Sequence, residues 1–383
     1  MNYFKKSIAL HKKYNGKIEI KPKVSIKNKN DLSTIYTPGV AEVSKKIYKD
    51  KNNAYKLTMK GNSVAIVSDG SAVLGLGNIG PYAAIPVMEG KSVIFKKFVN
   101  IDAFPICVKT QNAKEIINIA KNIAPNFAAI NLEDISAPRC FEIENNLQNI
   151  GIPVMHDDQH GTAIVVLSAL INSLKIVKKN LTKIRIVISG AGAAGFAIWK
   201  LLKMAGAKNI VVCDSKGIIY NQRSDIKSIP HKQKIAKFTN KNIKNGLLPD
   251  ALKNADVFIG VSAPNILKKE WIKLMNKKPI VFAMANPDPE ILPNKAKKAG
   301  AYIVATGRSD FLNQINNASA YPGIFRGAID ARAEKITEKM KLSASYTLAN
   351  LVKNLNKNNI IPSILNPKTH LAVTNAVKKA WNT

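Results

Sequence analysis

Nine consecutive residues, Met155-His156-Asp157-Asp158-Gln159-His160-Gly161-Thr162-Ala163, set two carboxylates, two imidazoles and an amide side by side. Ionisable groups at this density are costly to bury without a compensating charge, and for carboxylates a divalent cation supplies it. Upstream, the apolar run Phe127–Leu132 closes on Glu133-Asp134, and Ile152–Met155 runs into Asp157-Asp158. Two buried strands that deliver acids to one edge are the arrangement in which parallel sheets bind ligands beyond their carboxyl ends. The reading is a carboxylate-held metal between a substrate domain and a nucleotide domain, with residues 155–163 on the hinge side of the cleft. A polar loop capped by Thr162 is the other reading of these nine residues.

A second chemistry is spelled by glycines. Gly190-Ala191-Gly192-Ala193-Ala194-Gly195 follows the strand-like Ile184–Ser189 and opens a helix over Phe196–Ala205. Ile210–Cys213 then ends in Asp214, 19 residues after Gly195. In that context Gly190 permits the tight turn, Gly192 lets the backbone approach a pyrophosphate and Gly195 lets helix and strand pack closely. A P-loop would need a Gly-Lys-Ser/Thr ending, which is missing. Gly75-Leu76-Gly77-Asn78-Ile79-Gly80 has the same spacing, but Pro81 and Pro86 break the helical pattern that should come after it. It reads as a loop packed against substrate or a neighbouring element.

The remaining elements must hold these groups in place. Lys17–Val24 alternates weakly and reads as an edge strand, and Pro38-Gly39 turns the chain before a helix over Glu42–Tyr48. Ser63–Val67 and Ala103–Val108 are strands, with a helix at Ala113–Ile123. Lys91 sits at the entry to a strand over Ser92–Phe95, where its amine could enter a cleft or meet solvent. A helix runs from Thr162 to about Leu174. Asp256–Val261, Ile280–Ala285 and Tyr302–Ala305 continue the alternation, each ending in small or polar residues. Segment 216–250 wraps the nucleotide's outer edge, and helices at Ala328–Met340 and Leu342–Leu355 close the chain. The class is α/β, with a substrate and metal domain over 1–161 and a doubly wound nucleotide domain with C-terminal helices over 162–383.

Composition narrows the function. The 383 residues carry 58 basic against 25 acidic side chains, a formal charge of +33. Nucleic acid would reward clustered Lys and Arg, yet these lysines are scattered among Asn and Ile with few arginines, so specific nucleic-acid binding is not expected. No apolar run reads as a membrane span and no leader pattern stands at the N-terminus. Cys107, Cys140 and Cys213 are too far apart for a zinc site and suit a reducing compartment, so the expectation is a cytoplasmic enzyme. Cys140 reads as a space-filler.

Several segments resemble the malic enzyme family: Tyr-Thr-Pro-Gly-Val-Ala at 36–41, Val-Leu-Gly-Leu-Gly-Asn-Ile-Gly at 73–80 and Met-Glu-Gly-Lys at 88–91. So do Asn-Leu-Glu-Asp-Ile at 131–135, His-Asp-Asp-Gln-His-Gly-Thr-Ala at 156–163 and Phe-Ala-Met-Ala-Asn-Pro at 282–287. Asn316-Asn317 and Tyr-Pro-Gly-Ile-Phe-Arg-Gly-Ala at 321–328 complete a set in one order along the chain. It is similar to the short bacterial form, without a phosphotransacetylase-like extension.

The resemblance implies oxidative decarboxylation of (S)-malate to pyruvate and CO2 with NAD or NADP and Mg2+ or Mn2+, in a homodimer or larger homo-oligomer. It implies that Glu133, Asp134 and Asp158 bind the metal, a hard oxygen set. It makes Lys91 the base at the C2 hydroxyl, Asp157 its proton relay, Tyr36 the acid at C3, and Asn286 and Asn317 substrate contacts. Thr162, Gly190, Gly192, Ala193, Ala194, Gly195, Asp214, Ser215, Lys216, Ser262 and Asn286 would meet the coenzyme. Asp214 suits the 2'-hydroxyl of NAD, whereas Lys216, Arg223 and the basic 227–237 segment tip the expectation to NADP. His156 and His160 would orient the loop. Ala72 stands where larger relatives carry an arginine. The rival readings are an amino-acid dehydrogenase, which needs no metal carboxylates, and a regulatory protein that retains a nucleotide fold.

Overall fold

Two parallel sheets share one long helix in the computed structural model, which describes residues 3–73, 75–239 and 245–383. The first sheet contains β1 (Ser63–Ser68), β2 (Asp102–Cys107), β3 (Ala129–Leu132) and β4 (Val154–His156), in the order β2-β1-β3-β4. The second contains β5 (Arg185–Ser189), β6 (Asn209–Asp214), β7 (Gly217–Ile218), β8 (Val257–Gly260), β9 (Ile280–Ala283) and β10 (Ile303–Thr306). Its order is β10-β9-β8-β5-β6-β7, with only β7 antiparallel. The order reverses on either side of β5, and the glycine turn sits at that switch point, where doubly wound sheets bind dinucleotides. Strands buried on both faces read as continuous apolar runs, which is why Val64–Val67 and Val257–Ile259 are fully buried.

The Asp157–Val177 helix, 21 residues long, lies between the sheets. Length and composition alone would let it cross a membrane. Its apolar residues instead join Val64 and Ile66 of β1 to Ile186 and Ile188 of β5 in one continuous core. It starts at Asp157 rather than Thr162, so both acids of the cluster lie in its first turn. The 161/162 division therefore falls inside a helix. The C-terminal helices Tyr321–Asp330 and Pro367–Trp381 return to the first unit, with Phe95 edge-on to Tyr321 at 4.9 Å and Phe98 stacked on His370 at 4.3 Å.

Three expectations are corrected. Ser92–Phe95 is not a strand but part of the Gly80–Val99 helix. Pro81 occupies its first turn, where the missing N–H costs nothing, and Pro86 stands on the exposed side. Met88, Lys91, Ser92 and Phe95 recur at helical spacing and form its buried face. Lys17–Val24 forms no strand, and Lys17 is instead bonded to Glu89 and to the Pro86 carbonyl of that helix. The late helices run Tyr321–Asp330 and Glu338–Asn350, the second begun by Thr337, whose hydroxyl accepts from the Met340 N–H. Of segment 216–250, residues 240–244 lie outside the described residues.

None of the described residues up to Asn62 is buried. This N-terminal arm displays Phe4, Ile20, Tyr36 and Tyr48 at 80%, 87%, 67% and 91% exposure. So much exposed apolar surface in one segment marks a face made for another surface.

Candidate active site

Register positions the acids. Leu132 of β3 pairs with Val67 of β1 on one side and His156 of β4 on the other. The next residues, Glu133 and Asp157, therefore leave adjacent strands at one level. The Glu133 N–H continues the ladder to Val67 O at 2.9 Å. Asp134 then turns at φ +52°, and its N–H donates to Asp158 Oδ2 at 2.8 Å. Left-handed backbone at a non-glycine residue is uncommon, and here it swings the Asp134 carboxylate toward its two neighbours.

Carboxylate oxygens of Glu133, Asp134 and Asp158 lie within 4.8 Å of one another. Asp134 Oδ2 is buried with no hydrogen-bond partner. Burial and then the neighbouring carboxylates push Asp134 up to about 9 and Glu133 to about 7, and burial takes Asp158 to about 6 despite the attraction of Lys91. An all-oxygen set with an orphaned oxygen and a charge deficit of this kind fits Mg2+ or Mn2+.

Lys91 arrives from the buried face of its helix. Its ammonium sits 2.6 Å from Glu133 Oε2 and 2.5 Å from Asp157 Oδ2, and 4.2 Å above the ring of Tyr321. Burial alone would lower its pKa, but Asp157 and Glu133 outweigh that and hold it well above the usual lysine value. Asn317 donates to the same Asp157 Oδ2 at 2.7 Å. Gly161, one turn along the helix, leaves room for that carboxylate, since a Cβ there would collide with Asp157 Oδ1.

A cleft of about 770 Å³ opens from this cluster toward the second sheet. Its walls include Ala72, Lys91, Glu133, Asp134, Asp158, Thr162, Gly192, Ala193, Ala194, Ser262, Asn286, Asn317 and Tyr321. The loop at 75–80 also reaches it through Gly75 and Gly77, with Gly75 hard against the Asn286 carbonyl. Gly195 holds the base of the nucleotide turn, because a Cβ there would strike the Gly190 carbonyl. Thus the structure brings together Lys91, Asp157, the three clustered carboxylates, both asparagines and the central part of the expected coenzyme set.

Gly190 and Gly195 lie behind the turn rather than on the cleft wall, and four further expected residues stand apart from that cleft. Asp214, Ser215 and Lys216 lie past its end, at the close of β6. Asp214 is engaged by Arg223 at 2.5 Å and Lys232 at 2.7 Å, and these bonds overcome burial to keep its pKa low. Tyr36 is exposed at the end of the Lys29–Ile35 helix and is not among the residues lining the cleft of its own chain.

Three further residues support the site and were not singled out by sequence. Tyr321 is 1% exposed, with its hydroxyl lacking a hydrogen-bond partner. It opens the Tyr-Pro-Gly segment, which was its only signal. Glu144 accepts from the His156 N–H at 2.9 Å, from Gln159 at 3.1 Å, and pairs with His160 at 2.9 Å. Glu290 accepts from the N–H groups of Ser262 and Ala285 at 3.0 Å each, pinning two cleft walls. His160, expected to orient a loop, instead stands in the first turns of the Asp157–Val177 helix and bonds Glu144, while buried His156 is pushed down to about 4, stays neutral and lies 3.3 Å from Asp158. Cys140 is a buried core residue.

Comparison with known proteins decides the family. The family described as "Malic enzyme, NAD binding domain" matches residues 159–380, and "Malic enzyme, N-terminal domain" matches 15–116 and 109–148. The chain belongs to the malic enzyme family. A bifunctional malic/malolactic enzyme of Bacillus subtilis is 52% identical to it, over 99% of this chain and 93% of that protein. An NAD-dependent malic enzyme of Geobacillus stearothermophilus is 55% identical over 95% of this chain and 76% of its own length. The crystal structure of the NAD-dependent malic enzyme from Thermotoga maritima superposes with a TM-score of 0.94 at 49% identity, covering 97% of this chain and 98% of that one. Other malic enzyme relatives carry the name NADP-dependent.

Proposed function

We propose that this malic enzyme converts (S)-malate to pyruvate and CO2 while reducing NAD(P)+. The observation that carries the reading is Lys91, whose ammonium bridges Glu133 and Asp157 at the mouth of a three-carboxylate cluster. Glu133, Asp134 and Asp158 would hold Mg2+ or Mn2+, which when bound supplies Lewis acidity toward substrate oxygens and the charge that the cluster lacks.

Lys91, in its neutral form, takes the C2 hydroxyl proton while the C2 hydrogen leaves with its electron pair for the nicotinamide. Asp157 receives the proton from Lys91, and Asn317 holds its accepting oxygen in place. Asn286 and Asn317 offer neutral donors to the substrate carboxylates. Loss of CO2 leaves an electron pair at C3, which takes a proton from Tyr36. Because Tyr36 lies on the exposed arm, the reading includes a homodimer in which the arm carries Tyr36 to the partner's cleft. The arm's unburied apolar residues support this.

For the coenzyme we infer a preference for NADP. Asp214 is engaged by Arg223 and Lys232, and with Asp225 and Lys216 the group holds three basic and two acidic side chains. That balance favours a 2'-phosphate over a second use of Asp214 as a 2'-hydroxyl acceptor. Three free cysteines support a cytoplasmic location. Absorbance at 340 nm with malate, testing NAD and NADP separately with and without Mn2+, checks the whole reading. Failure to reduce either coenzyme when Mn2+ is present would overturn it.

A further inference from the structure

A second cavity, about 1150 Å³ in volume, lies on the other side of the first turn of the Asp157–Val177 helix. Its walls come from the helices Arg139–Asn146, Ala193–Met204 and Pro230–Phe238 and from the start of Glu338–Asn350. None of the malate chemistry above uses it.

Its floor is polar and its wall is aromatic. Lys341, 7% exposed, sits 3.0 Å from His160 Nδ1 and 3.2 Å from Glu338 Oε1. The lysine bias of the chain accounts for surface ammoniums but not for a buried one, whose lost hydration acceptors must replace. Glu338 is also the partner of Lys200 at 2.7 Å, and Glu144 is engaged by His160 and the His156 N–H. Lys200 and Lys341 therefore share the Glu338 carboxylate, with Glu144 the other anion close to Lys341. Around the whole cavity six basic side chains face three acidic ones. Above the floor, Phe196 stands edge-on to Phe141 at 5.1 Å and lies 5.5 Å from Trp199, giving an aromatic wall.

We propose that this cavity binds a nucleoside phosphate at a site separate from the coenzyme's, with its ring on the Phe196–Trp199 wall and its phosphates on Lys341 and the rim lysines. A single aromatic acid would leave most of the volume empty and answer only one ammonium. A ring bearing two or more negative charges matches the wall, the floor and the rim together. The inference stands apart from the malate reading, since its test measures binding alone.

ADP serves as the probe, by equilibrium dialysis against the whole enzyme held saturated with NADP. One ADP per chain is expected to remain bound and to quench the fluorescence of Trp199, a signal absent in Trp199→Phe. Lys341→Met is expected to weaken ADP at least tenfold, and so is Lys203→Glu on the rim, an exposed position outside the coenzyme set whose change leaves malate turnover intact. Adenosine and inorganic phosphate should each bind more weakly than ADP. Complete displacement of ADP by NADP, or retention unchanged in both lysine variants, would overturn the proposal.

Discussion

The ammonium of Lys91 lies 2.6 Å from Oε2 of Glu133, so the amine assigned to proton removal is ion-paired with a carboxylate assigned to the metal. The two roles are thereby in competition. While Glu133 keeps its charge for Lys91, that lysine stays protonated, and a cation on Glu133 would release it.

That competition predicts the behaviour of Lys91→Met, which keeps the stem and removes the charge. Malate oxidation should fall by about 10³-fold, within the range for a lost general base. Coenzyme affinity should stay within about twofold, because the Gly190–Gly195 turn belongs to another sheet. Mn2+ should bind the variant at least as tightly as the parent, since Glu133 has lost its rival. Calorimetric titration checks this, and weaker Mn2+ binding would remove the competition argument.

The carboxylates give the metal site a pH dependence with a definite sign. Asp134, Glu133 and Asp158 are raised to about 9, 7 and 6, whereas in the unfolded chain such groups titrate near 4. Each raised carboxyl stabilises the metal-free fold below its unfolded value, and that contribution is lost as pH climbs through its folded value. Mn2+ needs the same groups deprotonated, so its affinity should rise between about pH 6 and 9. The gain in melting temperature on adding Mn2+ should therefore grow over that window. Asp158→Ala should cut Mn2+ affinity by more than the roughly 10-fold to 100-fold that loss of a ligand's hydrogen-bond partner costs, and flatten the gain. A gain that shrinks with rising pH in the parent would contradict the assignment.

Coenzyme preference can be read through Lys232. This side chain is bonded to Asp214 and lies toward the outer end of the nucleotide site. Lys232→Ala should lower kcat/KM for NADP about tenfold, roughly 1.4 kcal/mol, while changing NAD little. Steady-state assays with both coenzymes test it, and an equal loss with NAD would assign Lys232 to the fold instead.

Local signals reached far into this site. The strand–turn–helix around Gly190–Gly195 and the acids at two strand ends are short-range patterns, and β3 and β4 deliver Glu133 and Asp157 as their apolar runs imply. The sequence sets Lys91 beside the wrong element, because Val93-Ile94-Phe95 looks strand-like and Pro86 hides the helical spacing of Met88, Lys91, Ser92 and Phe95. Partners distant in sequence left no trace. Asn317 meets Asp157 across 160 residues, and Glu144 reaches His156 and His160 across 12 and 16. The Arg223–Asp214 pair likewise depends on how 216–250 folds back.

The exposed arm makes the strongest demand on the assembly, since Tyr36 has no place in the cleft of its own chain. If Tyr36 serves the partner, a dimer of one Tyr36→Phe chain and one Lys91→Met chain contains one site with both lesions and one with neither. Random reassociation of the two inactive variants makes about half of the dimers mixed, so the mixture should recover about a quarter of parental turnover. If Tyr36 instead folded back into its own cleft, every site in every dimer would carry one lesion and mixing would restore nothing. Subunit exchange followed by the 340 nm assay separates the two cases. If the arm's exposed apolar side chains bridge the copies, deleting it should also give a monomer on analytical ultracentrifugation.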